Sequence, residues 1–282
     1  MSESAFDDYL TQWREASPQR SIAWLFLRRD ERTCFGALAA LVHAWQKAVR
    51  EVRESQVAAV KLGWWREEIQ RAAEAQARHP LTRALFADAR VRSIPLQYWV
   101  APVEAAIGTL ALPPPADVAA QSDAAAPFAN AVAALEARVW FGEGVDSARM
   151  SRAVLLAGLV STARALAAEV GHGRSPLPMN LLARHGLTIE ALGSDSPARR
   201  AALRDYLVEL ERATSEAATM QGPLTLFRGV DLQRDLQAIG RAVSADDPLA
   251  ALHAPAHGLG DVLKTWRAAR KWRGMVHNES RP

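Results

Sequence analysis

The sequence predicts an all-α fold, and three observations carry that prediction. Ala, Leu, Arg and Glu recur along the whole chain while strand-forming residues are confined to short runs, the signature of helix when propensities are summed over long windows. Apolar residues return at three- and four-residue intervals over long stretches, and clusters of Pro, Gly and Ser interrupt those stretches. The composition, 49% hydrophobic and 23% charged over 282 residues, is an ordinary globular mix with enough length to bury a large core, which excludes disorder and fibrous repeats.

Taken in order, the spacing predicts helices over 4–15, 20–28, 33–54, 56–78, 80–89, 93–111, 127–140, 147–170, 198–220, 223–244 and 259–277. The clearest interruption is Leu112-Pro113-Pro114-Pro115 and the Ala/Ser/Asp stretch that follows it to Pro127. We read a long interhelical loop near 112–127 rather than a domain linker, because the halves on either side do not differ in composition, and so expect one domain over 1–282. In the third helix Leu38, Leu41, Val42, Trp45, Val49 and Val52 share one face, and Lys47, Arg50, Glu51, Arg53 and Glu54 share the other, a core helix with a solvated side. Over 153–170, Leu155, Leu159, Thr162 and Leu166 align, and Glu169 falls on the same stripe. A carboxylate there is costly unless paired, so Glu169 either reaches water at a helix end or belongs to a polar site. In the last helix Val262, Trp266, Ala269, Trp272 and Val276 oppose Lys264, Arg267, Arg270 and Lys271. Such a helix either lies on an anionic membrane surface or packs its stripe on the protein body, and the second is favoured inside a long domain.

Other classes are poorly supported. The one cysteine, Cys34, excludes an intramolecular disulfide, and MSESAFDDYL lacks a basic-then-apolar signal, so a cytoplasmic location is expected, at most peripheral to the inner face of a membrane. No apolar run reaches the roughly 20 residues that span a bilayer. A net charge of +3, with Arg interspersed among Glu and Asp, argues against nucleic acid as a partner. His253 and His257 have Pro255 between them and make no helical metal pair, and no Gly-rich phosphate loop, nucleophile elbow or zinc spacing occurs. The nine tryptophans, including Trp45, Trp64, Trp65 and Trp140, read as core or cavity wall.

Two stretches carry a resemblance. The first runs from Ala40-Leu41-Val42-His43-Ala44-Trp45 through Arg50-Glu51-Val52-Arg53-Glu54, followed by Lys61-Leu62-Gly63-Trp64-Trp65-Arg66-Glu67-Glu68-Ile69 and His79-Pro80-Leu81. The second is Arg164-Ala165-Leu166-Ala167-Ala168-Glu169-Val170-Gly171-His172-Gly173-Arg174-Ser175-Pro176-Leu177-Pro178. In order and separation, over about 20–270, they resemble the two aspartate-rich helices of the squalene/phytoene synthase family, the trans-isoprenyl diphosphate synthases of head-to-head type. The resemblance implies an all-α, isoprenoid synthase-like helical bundle around a central cavity. It also implies a transferase chemistry in which Mg²⁺, clamped between the aspartate motifs, helps to join two prenyl diphosphates.

The motifs depart from that pattern. Arg50, Glu51 and Glu54 stand where the resemblance puts three aspartates, and Ala165 and Glu169 where it puts two more. A cation at position 50 repels Mg²⁺, and Pro176 replaces a tyrosine. The pattern is similar to the divergent branch that includes the mitochondrial complex I assembly factor. We therefore expect an isoprenoid- or lipid-binding or accessory protein of pseudoenzyme type. Arg50, Arg164 and Arg174 are candidates for binding a diphosphate or anionic lipid. Two other readings stand beside it: an active prenyltransferase holding Mg²⁺ through Glu51, Glu54 and Glu169, and a helical protein-interaction module. For single residues the plainer assignments are surface charge for Glu51 and Glu54, and for Arg174 a cap on the end of its own helix.

Overall fold

The computed structural model describes residues 3–254, 260, 262–267 and 269–270. Among them the regular structure is helical throughout, with no strand. The order is α1 (Glu3–Glu15), α2 (Pro18–Trp24), α3 (Arg29–Glu51), α4 (Ser55–Ala73), α5 (Pro80–Phe86), α6 (Ala89–Arg92), α7 (Leu96–Thr109), α8 (Val118–Phe141), α9 (Ala148–Arg164), α10 (Leu166–Gly171), α11 (Met179–Arg184), a 3-10 turn (Glu190–Gly193), α12 (Pro197–Thr219), α13 (Leu226–Val243) and α14 (Pro248–His253).

The long helices form where the periodicity puts them, and the differences have local causes. The stretch expected to be loop to Pro127 is helical from Val118, because Asp117 caps the helix by accepting from the Ala120 N–H at 2.8 Å and an Ala-rich run follows. Pro127 sits inside α8 on its exposed side. The third helix stops at Glu51, since Val52 turns extended, and Glu54 instead becomes the N-cap residue of α4. Helix α4 ends at Ala73 rather than 78. The buried Glu68 carboxylate accepts from the N–H groups of Arg78 and His79 at 2.7 and 2.8 Å and from the Thr82 hydroxyl at 2.7 Å, folding the chain back toward α5. The expected 147–170 helix breaks at Ala165 into α9 and α10. Short α11, α14 and the 3-10 turn are too brief to show a periodicity.

Two large apolar clusters build most of the interior, with two small ones beside them. The larger joins α1 to α9 and the start of α13 around Leu38, Leu41, Trp45, Leu62, Ile69 and Trp99. The second joins α9 to α14 around Leu159, Leu203, Tyr206, Leu207 and Ile239. Helix α9 contributes to both, which makes it the central post of the fold. Fully buried leucines such as Leu38 and Leu41 each stabilise by about 2 kcal/mol. At the C-terminal end residues 262–267 are helical. Ala269 of the expected stripe is buried, as is Thr265 beside it, while Val262 and Trp266 of that stripe are exposed. Lys271, Trp272 and Val276 of that expected helix lie outside the described residues, as does His257. No described helix is long and apolar enough to cross a membrane.

Candidate functional site

Four helices, α3, α7, α8 and α9, line a cavity of about 150 Å³ that opens to the surface. Its wall is mainly apolar, with Phe128, Val154, Leu155 and Leu159 supplying most of the bulk and Gly158 leaving a gap in α9. Arg50 is the one charged side chain among its lining residues, accompanied by Gln46, Thr109 and Thr162. Both threonine hydroxyls donate to carbonyls of their own helices, Thr109 to Ala106 at 2.7 Å and Thr162 to Gly158 at 3.1 Å. The volume is about that of an apolar cavity able to admit one benzene, hence room for the end of an isoprenoid chain and not for two whole chains.

The two motif segments meet beside this cavity through arginine side chains. Arg50, in the last turn of α3, donates to the Ser161 hydroxyl on α9. Burial lowers the Arg50 pKa against the opposing influence of Glu169 and Glu51. Arg174 reaches the other way: it donates to Glu169 Oε2 at 2.7 Å and to the carbonyls of Val49 at 3.4 Å, Val52 at 3.3 Å and Arg50. A further Arg174 N–H points at His172 Nδ1, 2.9 Å away. The guanidinium thus caps the C-terminal end of α3, where free carbonyls and the helix dipole favour a cation. The plain assignment of Arg174 as a cap has the wrong helix: the end it covers is not that of its own segment but of α3, brought close only by folding. Glu169 is buried in that ion pair, which answers why a carboxylate interrupts an apolar stripe.

The other candidates lie elsewhere. Glu51 is exposed and pairs with Lys47 at 3.6 Å, and exposed Glu54 begins α4 instead of sharing a face of α3 with Arg50. Arg164 closes α9 by pairing with Asp235 on α13 at 2.8 Å and donating to the Leu252 carbonyl of α14 at 3.3 Å, away from the cavity. Among the described residues no three His, Cys, Asp or Glu side chains gather as a metal-ligand set. The donor chemistry agrees: between α3 and Glu169 stands a guanidinium, itself a cation, so these residues do not fit Mg²⁺. Pro176 is buried, and its carbonyl accepts from Gln121 at 3.2 Å, which in turn accepts from the Tyr206 hydroxyl at 2.8 Å.

Sequence reasoning missed a larger polar cluster centred on α13. Arg20 of α2 pairs with Asp231 at 2.9 Å, Arg228 with Glu136 of α8 at 2.5 Å, and Arg234 with Asp231 at 3.2 Å and Asp235 at 2.7 Å. Burial pushes the Asp231 carboxyl up, but Arg20 and Arg234 outweigh it and hold the group at about 2. His43 on α3 lines a space of about 20 Å³ next to this cluster, room for about one water. Burial first, then Arg20, Arg50 and Lys47, press its pKa down to about 4. The cluster was detectable by the rule that singled out Glu169: Asp231 and Asp235 sit one turn apart on a helix whose neighbouring positions, Val230 and Ile239, are core.

Comparison with known proteins adds the lineage. The family model described as squalene/phytoene synthase matches residues 13–269. Among solved structures, the squalene synthase HpnC from Alicyclobacillus acidocaldarius is 16% identical with a TM-score of 0.60, covering 95% of this chain and 95% of its own. A dehydrosqualene synthase solved in complex with a ligand is 11% identical with a TM-score of 0.68, covering 97% of this chain and 98% of its own. At these identities the two structures establish a shared all-α architecture. Comparison with curated proteins found no match.

Proposed function

Since the chain belongs to the squalene/phytoene synthase family, we propose that it is a binding or accessory member, one that holds an isoprenoid chain with an anionic head and does not perform Mg²⁺-dependent joining of two prenyl diphosphates. The observation that carries this reading is the position of Arg174. Its guanidinium bridges the carbonyl end of α3 and Glu169, the place where the family pattern would set aspartates and metal, and it satisfies both sides with a charge built into the chain. The cavity beside it supports the same reading, being apolar along its length and basic at one end.

The test is incubation of the purified protein with farnesyl and geranylgeranyl diphosphate, with Mg²⁺ and with EDTA, followed by product analysis and a binding measurement. The expected result is binding that survives EDTA and no C30 or C40 hydrocarbon in either condition. A squalene- or phytoene-like product would show a working prenyltransferase and end this reading. Absence of any binding would point instead to a helical interaction module.

A further inference from the structure

Arg50 is out of balance with its surroundings. The Arg50 side chain is half-buried, and a guanidinium in such a place, which retains its proton at any physiological pH, ordinarily takes a carboxylate as its hydrogen-bond partner. Here the two nearest acids are occupied elsewhere: Glu169 by Arg174 at 2.7 Å, and Glu51 by Lys47 at the exposed edge of α3. Among the described residues no carboxylate lies within ion-pair reach of Arg50, and its hydrogen bond goes to a neutral hydroxyl, that of Ser161. Arg50 also lines the apolar pocket, where Gln46 offers an amide and the threonine hydroxyls have already given their protons to carbonyls.

We infer that the cavity is a site for one amphiphile bearing a single anionic head, a carboxylate or a phosphate monoester, whose head pairs with Arg50 and whose chain lies among Phe128, Val154, Leu155 and Leu159, with no metal ion between. This rests on the reading that the cavity holds an isoprenoid-type chain and adds the charge, number and metal-independence of the occupant. A planar fork suits a carboxylate or phosphate oxygen pair in bidentate fashion. The single cation of the lining, held in no ion pair among the described residues, matches one head; a diphosphate, with several charges, would leave most of them uncompensated, since Arg174 and Arg164 are already paired. The volume argues for one chain as well.

The experiment is isothermal titration of the intact protein in EDTA with farnesyl monophosphate, dodecanoate, farnesyl diphosphate and farnesol. We expect one molecule per chain, with farnesyl monophosphate or dodecanoate binding at least about tenfold more tightly than farnesol, a charged hydrogen bond being the difference. The better of the two anions distinguishes a phosphate from a carboxylate source. Farnesyl diphosphate should bind no more tightly than the monophosphate. Arg50→Met should erase the preference over farnesol. Equal binding of farnesol and both anions, two molecules per chain, a requirement for Mg²⁺, or an unchanged preference in Arg50→Met would each overturn the inference. If farnesyl diphosphate binds without turnover while the anion preference is absent, only this inference falls. If a condensation product forms, the proposed function falls with it.

Discussion

The α13 cluster and the cavity end of α3 both hold arginines partly withdrawn from water, yet they treat the charge in opposite ways. Around α13, Arg20, Arg164, Arg228 and Arg234 each touch at least one of Glu136, Asp231 and Asp235, tying α2, α8, α9 and α13 together. At the pocket, Arg50 hydrogen-bonds to a neutral hydroxyl and feels Glu169 and Glu51 only at a distance, without an ion pair. Matched buried charges are a geometrical device: they specify how helices sit, whatever their net stability. An unmatched one is a cost the fold bears, and such costs concentrate where a ligand relieves them.

The largest effect that sharpens this contrast is expected on the matched side. Arg228→Met leaves the Glu136 carboxylate, 5% exposed, without its partner, and urea unfolding should show a loss of about 3–5 kcal/mol. A loss no bigger than that of a typical surface substitution, within about 0.5 kcal/mol, would erase the distinction between the two regions.

The next effect lies between them, at His43, which faces Arg20 and Asp231 on the cluster side and Arg50 and Lys47 on its own helix. Its pKa falls from 6.5 to about 4 in the folded state, so between those values the unfolded chain binds more protons than the native one. Stability held by the neutral ring is therefore complete above pH 6.5 and declines as pH falls toward 4, by about 3 kcal/mol in total. Denaturation midpoints measured across that range should drop for the native chain and flatten for His43→Gln. Parallel curves for the two proteins would mean that His43 does not feel the cations of either region.

The smallest effect belongs to the cavity. A Cβ added at Gly158 meets nothing within 4 Å, so Gly158→Ala should stabilise α9 by about 0.5–1 kcal/mol, read from thermal unfolding. A destabilisation would mean that the space is already filled by relaxed side chains.

How much of this was legible in the sequence depends on the range of the forces involved. The helical class and most long helices follow from local periodicity, and Leu38, Leu41 and Trp45 are buried as their spacing implies. Helix ends decided by single side chains were harder. The loop expected over 112–127 became half helix because Asp117 caps it, and the end of α3 at Glu51 removed Glu54 from the face it seemed to share. The site itself is a matter of long-range pairing: Arg174 and the α3 carbonyls are more than 120 positions apart, and Arg20 and Asp231 are 211 apart. Glu169 could be flagged as a residue needing a partner, but nothing local names Arg174 as that partner rather than a metal ion.

The arginine bridge also has a mechanical meaning. With Arg174 fastened to α3 and Glu169, and Arg50 fastened to α9, the α3–α9 wall of the cavity is riveted at its polar end. The opposite wall is not: α7 carries Pro102 and α8 carries Pro127, each deleting a backbone hydrogen bond within a turn or so of the lining residues Ala106, Ala125 and Phe128. Each proline withholds one backbone donor from its own helix, so the α7–α8 side of the pocket is held by apolar packing where the α3–α9 side is held by arginine hydrogen bonds.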